Sequence, residues 1–353
     1  MKRHKNLYDD VCDFENLLLS ARKAQQGKRG NPRVQAFNHR IETELLTLQE
    51  ELQAQTYRPG AYRTFTINDP KTRMISAAPF RDRVVHHALC NIVEPIFERV
   101  FIHDSYACRK GKGTHAAVDR FTQFMHSNEY VLKCDIKKYF ASIDHEILKQ
   151  LIRRKIGCPR TLWLIDLIID HSNPQEFVDD YFPSDNLFTP SSRRKGLPLG
   201  NQTSQFFANI YLDPLDHFVK EALGCKAYIR YVDDFVVLEQ DISRMWEVHR
   251  AIEAFLHERL RLNLHPRKQF VTPVRVGIDF LGYRVFPAHR LLRRSSGYRF
   301  ARRLRTMQQQ YRSGVLSPAS VQQRIASWVG HAKHADTYGL RTALFSTAVF
   351  CRA

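Results

Sequence analysis

AYIRYVDDFVVLEQ, residues 227–240, sets two adjacent carboxylates, Asp233 and Asp234, between two apolar runs. Tyr228, Ile229, Tyr231 and Val232 precede them; Phe235, Val236, Val237 and Leu238 follow. Runs rich in Val, Ile, Tyr and Phe favour strands and Asp favours turns, so the stretch reads as a β-hairpin with the acids at its tip. A tight hairpin usually turns on Asn-Gly or Asp-Gly, whose residues accept φ > 0. Neighbouring acids repel each other and gain nothing from such a turn, so their purpose has to be sought elsewhere in the chain.

The charge narrows the search. Lys and Arg number 54 against 36 Asp and Glu, a net charge of +18, which suggests a polyanionic partner. The excess is uneven: residues 280–335 contain no Asp or Glu but hold Arg290, Arg293, Arg294, Arg299, Arg302, Arg303, Arg305, Arg312 and Arg324. Over so long a stretch, a surface following a phosphate backbone is a better account than a solvated basic face. At 353 residues the chain is long enough for one large domain or two to three smaller ones. No apolar stretch approaches the roughly 18 residues of a membrane span. The N-terminus MKRHKNLYDD lacks the apolar core of a signal peptide, so a cytoplasmic protein is expected. The 7 cysteines are scattered without a C-x-x-C pair, which points to neither a disulfide framework nor a zinc site.

Helical spacing of apolar residues predicts helices over 7–24, 41–52 and 83–100, with Pro95 kinking or restarting the last. AYRTFTIND (61–69) reads as a short strand, and YVLKCDIKKYF (130–140) as a strand running into a turn. Asp144 is placed to cap a helix over 144–155. A polar loop over 172–194 precedes the largely helical GLPLGNQTSQFFANIYLDPLDHFVKEAL (196–223). After the hairpin come a helix over 242–262, a strand pair in GIDFLGYRVF (277–286), and an Arg- and Gln-rich helical tail. Strands interleaved with helices of unequal length argue for an α+β fold.

A second strand-borne acid, Asp135, closes VLKCD. Magnesium needs oxygen ligands converging on one point, and Asp135 beside an Asp233–Asp234 hairpin would supply them. Two ions bridged in this way suit in-line attack of a hydroxyl on a phosphate. Taken singly, Asp135 reads equally well as a cap or ion-pair partner, and Asp233–Asp234 as a surface turn.

The order of motifs along the chain separates these readings. RYVDDFVVL resembles the Tyr-x-Asp-Asp box of reverse transcriptases, and LKCDIKKYFASIDH their first palm motif. GLPLGNQTSQ stands where that family has its Gly-containing nucleotide-contacting motif. DPKTRMISAAPFRDRVVHHAL and HDSYACRKGKGTH resemble the fingers motifs of bacterial enzymes related to group II intron reverse transcriptases, and DFLGYRVF resembles their primer grip. The resemblance covers residues 56–285 and implies a right-hand polymerase: an N-terminal helical segment (1–29), fingers (30–130 and 150–194), palm with an antiparallel sheet (131–149 and 195–290) and a compact helical thumb (291–353). No RNase H, endonuclease or maturase-like extension is expected after the thumb.

Carried over position by position, the resemblance makes Asp135, Asp233 and Asp234 the catalytic metal ligands, for two Mg²⁺ ions with Mn²⁺ able to substitute. Phe140 matches the aromatic beneath the incoming sugar, where it would clash with a 2′-OH. Lys71, Arg73 and Arg109 match cations on the triphosphate. Ile136, Leu199, Gly200 and Gln202 fall in the nucleotide-contacting motifs, and Lys268 where the family often has a lysine near the nucleotide. Arg293, Arg294, Arg302, Arg303 and Arg305 are candidate contacts to nucleic acid. The usual Gln-Gly…Ser-Pro here becomes Leu199-Gly200…Ser204-Gln205, which resembles the reverse transcriptases of diversity-generating retroelements. Those enzymes copy a template RNA with errors at adenines. The implied partners are template RNA, cDNA primer and product, dNTPs and a small basic accessory protein, with no membrane. Two rival readings stand beside this one: an anti-phage or retron-like reverse transcriptase, and an inactive polymerase-derived RNA-binding protein. The intact acids speak against the second.

Overall fold

The computed structural model describes residues 3–68, 72–183 and 185–352. Among the described residues nine strands fall into three antiparallel sheets. Strands β1 (Arg63–Ile67) and β2 (Arg73–Ala77) form a two-stranded hairpin. Strands β3 (Tyr130–Asp135), β4 (Tyr228–Tyr231), β5 (Asp234–Glu239) and β6 (Phe270–Pro273) form the central sheet in the order β4-β5-β3-β6. Strands β7 (Ile278–Phe280), β8 (Tyr283–Val285) and β9 (Arg290–Leu292) form a third.

The unbroken apolar run of the opening stretch follows from a sheet covered on both faces. Alternation sends Leu132, Cys134, Phe235 and Val237 into the main core with helices Gln202–His217 and Ile242–Leu260. It sends Val131, Ile229, Val236 and Leu238 to the other face, where helix Thr114–Met125 and the third sheet cover them through Phe121, Phe280 and Tyr283. Strand β9 and the helices Pro32–His39, Thr114–Met125 and Pro159–Asp170 were not among the expected elements.

Two local expectations change. The helix expected over 7–24 is two helices, Tyr8–Cys12 and Phe14–Ala24, because Asp13 takes an extended ψ of 136° and caps the second by accepting from Asn16 N. Helix Phe80–Glu98 runs through Pro95 without restarting; the proline lies in its last turn, where few hydrogen bonds remain to be lost. Asp144 caps helix His145–Arg153 as expected, accepting from Glu146 N and Ile147 N.

The N-terminal helices share the main core, with Tyr8, Val11, Leu17 and Ala21 packed among Val84, Ala88 and Leu89 of helix Phe80–Glu98. The C-terminal helices Arg294–Arg312, Pro318–Ala332 and Tyr338–Phe345 enclose a separate small core of Phe300, Leu304, Met307, Leu316 and Val321.

Candidate active site

The β4–β5 hairpin turns on Val232 and Asp233, and β5 begins at Asp234. Val232 carries φ +58, the sign a type II′ turn requires at its first central position, where Gly is usual. A β-branched residue there is a backbone outlier of the kind that clusters at functional sites. Strand pairing then places the acids. Asp135 is the register partner of Asp234, the amide of Ile136 donates to the Asp233 carbonyl at 3.2 Å, and His265 N donates to the Asp135 carbonyl at 2.7 Å.

The side chains are short of positive charge. Burial, then the Asp135 carboxylate, pushes the pKa of Asp233 up to about 6. Burial raises that of Asp234, with Lys133 opposing. One Asp234 oxygen, Oδ1, is buried without a hydrogen-bond partner, while Oδ2 lies 3.2 Å from Lys133 Nζ. Lys133 also donates to the Asp279 carbonyl at 2.7 Å, and Lys268 Nζ lies 2.7 Å from Asp135 Oδ1. Among the described residues no three His, Cys, Asp or Glu side chains converge closely enough to hold one ion. Asp135 and Asp234 are each ion-paired with a lysine, Lys268 and Lys133 respectively. The donor set nonetheless suits a hard cation, since it combines three carboxylates, an orphaned oxygen and a carboxyl whose ionisation is disfavoured. Lys133 was not singled out from sequence. Its signal was its place two residues before Asp135 on one strand, where alternation returns a side chain to the same face.

The loop carrying Leu199 lies against the first hairpin. Ser76 N donates to the Leu199 carbonyl at 2.9 Å, and the Asn201 side chain bonds Ser76 O and Ala78 N, each at 3.3 Å. Gly200 has φ +117, and a Cβ there would stand 3.0 Å from Ile75 Cγ2, so both conformation and space call for glycine. The same loop reaches the turn after β3, with Leu197 N donating to the Phe140 carbonyl at 2.8 Å. Phe140 is half-buried beside Tyr139, whose hydroxyl donates to the Ala208 carbonyl. Phe140, Leu199, Gly200 and the strand bearing Arg73 are thus joined, and Arg73 is exposed at the start of β2. Lys71 lies outside the described residues.

Arg109 is a correction. Its side chain is only 6% exposed, its Nε donates to both Glu98 oxygens at 3.0 Å, and its Nη1 donates to the carbonyls of Ile102 and Ser105. It ties a loop to the end of helix Phe80–Glu98, with all three of its guanidinium nitrogens on protein acceptors. Gln202 opens helix Gln202–His217 and lines a cavity of about 270 Å³ with Lys28, Arg83, His86, His87 and Gln205. Neither Lys28 nor Arg83 has a carboxylate partner among the described residues. Arg83 lies within the DPKTRMISAAPFRDRVVHHAL motif but Lys28 lies in none, and only the fold brings the two together.

The basic tail divides. Arg290 pairs with Asp119 at 2.6 Å, and Arg293 with Asp279 at 3.2 Å. Arg294, Arg302, Arg303 and Arg305 occupy exposed positions on helix Arg294–Arg312.

Comparison with known proteins gives this arrangement a family. Residues 67–285 match the family described as reverse transcriptase (RNA-dependent DNA polymerase). Protein YkfC of Escherichia coli is 27% identical over 310 residues, covering 77% of this chain and 77% of that protein. The group II intron-encoded protein LtrA of Lactococcus lactis is 23% identical over 308 residues, covering 69% of this chain but only 49% of LtrA. Among solved structures, the apo telomerase of Candida tropicalis, truncated from its C-terminal domain, superposes with a TM-score of 0.50 at 14% identity. That match covers 66% of this chain and 55% of the telomerase, and it supports the right-hand polymerase fold. With the YxDD hairpin paired to Asp135 and the family match running across both, this chain belongs to the reverse transcriptase family.

Proposed function

We propose that this chain makes cDNA on an RNA template within a diversity-generating retroelement, and does so with errors. The observation that carries the catalytic half is the register that sets Asp135 against Asp234, with Asp233 on the adjoining turn. In this reading Asp135, Asp233 and Asp234 hold two Mg²⁺ ions, with Mn²⁺ able to substitute, and bound metal supplies activation of the primer 3′-hydroxyl and charge for the departing pyrophosphate. Lys268 and Lys133 then release their carboxylates. Phe140 closes the floor beneath the sugar, and Lys71 and Arg73 face the triphosphate. Ile136 helps fix the acids through its amide, and Gly200 and Gln202 border the nascent pair. Lys28 and Arg83, in a cavity that Glu94 also lines, offer positive charge to a template phosphate beside Gln202. Residues 1–29 brace the fingers (30–130 and 150–194), the palm spans 131–149 and 195–290, and the thumb (291–353) presents Arg294, Arg302, Arg303 and Arg305 to the duplex, with Arg293 at its base. A small basic accessory protein completes the assembly. The setting is the cytoplasm; no helix among the described residues is long and apolar enough to cross a membrane.

Leu199 carries the retroelement half. A Gln there would offer a polar side chain beside the nascent pair, whereas Leu fills space without a donor or acceptor. A contact of that kind is worth about 0.5–1.5 kcal/mol, enough to change misincorporation by up to about tenfold. The test is sequencing of cDNA made from a defined RNA by wild type and Leu199→Gln. Errors concentrated at template adenines in wild type and reduced in the variant support the reading. Adenine copied as faithfully as the other bases by wild type moves the role to a defence-type or retron-like enzyme.

A further inference from the structure

Behind the catalytic turn lies a charged residue with no exposure at all. Arg230, on β4, is 0% exposed, as is Asp216 on helix Gln202–His217. Its Nε and Nη2 form a fork on the Asp216 carboxylate at 2.7 and 2.6 Å. Its remaining nitrogen, Nη1, donates to Asn209 Oδ1 and to the Val232 carbonyl, each at 3.1 Å. Asp216 also accepts from the Tyr228 hydroxyl at 2.7 Å, and Asn209 Nδ2 donates to the Ala107 carbonyl at 2.9 Å. Each guanidinium nitrogen, each Asp216 oxygen and both polar atoms of the Asn209 amide therefore have at least one partner.

A buried ion pair of this kind adds little net stability over well-packed apolar residues, so its presence asks for another explanation. The Val232 carbonyl supplies one. That oxygen belongs to the peptide plane joining Val232 to Asp233, and the plane follows a residue held at φ +58. Rotating it would swing the Asp233 side chain away from Asp135. A guanidinium can grip Asp216 with two nitrogens and still offer a third, which an ammonium cannot do from one point.

We propose that Arg230, held by Asp216 and Asn209, is the positioning residue that fixes the orientation of Asp233 through the Val232 carbonyl. The inference rests on the reading of Asp233 as a metal-holding carboxylate. Two variants test it. Arg230→Lys leaves a cation beside Asp216 but loses the fork. Arg230→Met combined with Asp216→Leu removes both buried charges, so neither is left unpaired. Folding is checked by thermal melting, RNA affinity by filter binding, and Mn²⁺ binding without primer or nucleotide by electron paramagnetic resonance.

In folded protein of both variants, primer extension falls about a hundredfold, the effect of a misplaced catalytic group. The Mn²⁺ Kd rises roughly tenfold, as when a ligand loses its supporting partner. RNA affinity stays at the wild-type value. Lower melting temperatures with wild-type Mn²⁺ affinity and extension would show the pair to be structural only and overturn the inference. Asp233→Asn, measured alongside, separates the two levels: if it copies RNA normally the polymerase reading itself falls. If it is inactive while both Arg230 variants behave as wild type, only the positioning role falls.

Discussion

Asp135 stands directly opposite Asp234 across the β3–β5 pair, so the first acid and the second half of the Asp-Asp step share one rung of the sheet. Asp233, one residue earlier, sits on the turn, and its carbonyl accepts from Ile136 N. A one-residue slip would send either side chain to the opposite face, which makes the register itself part of the chemistry.

That rung leads to a first prediction. Asp233→Asn keeps shape and burial but removes the charge the turn presents. Primer extension should be abolished while RNA affinity stays close to wild type, because the proposed nucleic-acid contacts lie elsewhere. The check is Mg²⁺-dependent extension alongside filter binding; substantial synthesis by the purified variant contradicts the assignment.

Lys133 yields the second. In Lys133→Met the Asp234 carboxylate loses the lysine ion-paired to its Oδ2, while its Oδ1 has no partner among the described residues. Leaving such a group unsatisfied costs about 1–3 kcal/mol. The variant should therefore melt lower than wild type in EDTA, and the gap should narrow as Mg²⁺ is added, since metal replaces the lost charge. An equal gap with and without Mg²⁺ would place Asp234 outside the metal site.

The third concerns Phe140, whose ring is half-buried between the core and the loop bearing Leu197. Phe140→Ala opens space beneath the sugar, and incorporation of ribonucleotides should rise relative to deoxyribonucleotides. Competition assays on one template measure the ratio. Unchanged discrimination would make Phe140 a packing residue.

The fourth concerns pH at the junction of the C-terminal helices. His115 stacks on His334 with centroids 3.5 Å apart, and Tyr283 Oη lies 2.9 Å from His331 Nδ1. Burial, then neighbouring histidines, lowers the pKa of His115 and of His331 below the ordinary 6.5. The folded protein therefore binds fewer protons there than the unfolded chain, and stability is lost as pH falls below that value. Hydrogen exchange in helix Pro318–Ala332 should quicken at lower pH, and His334→Gln should weaken the dependence. Exchange independent of pH after correction for intrinsic rates would exclude the histidines.

Much of this site was legible because its residues lie on strands with a strict period of two. VLKCD and YVDDF announce both the strands and the faces of the acids, and the paired lengths leave little choice of register. Arg109 was not legible. In the basic run ACRKGKGTH a guanidinium reads the same whether solvated or clasped by Glu98, and only the fold brings that glutamate within reach. The lysines on the acids were hidden for a related reason, since their contacts reflect a balance of charges gathered from β3, β5 and the segment after helix Ile242–Leu260. The break at Asp13 went unseen because Asp is tolerated within a helix as well as at its cap, and the apolar spacing continues across it.

The three hydrogen bonds between Ser76 and Ala78 and the Leu199–Asn201 loop have a mechanical consequence. They join the end of β2 to the loop that carries Leu199, so separating the two would break all three. A hairpin swinging down on a triphosphate through Arg73 would press Leu199 toward the new base pair in the same stroke. If Arg73 and Leu199 have the roles proposed for them, grip on the nucleotide and contact with the new pair would be coupled through these bonds.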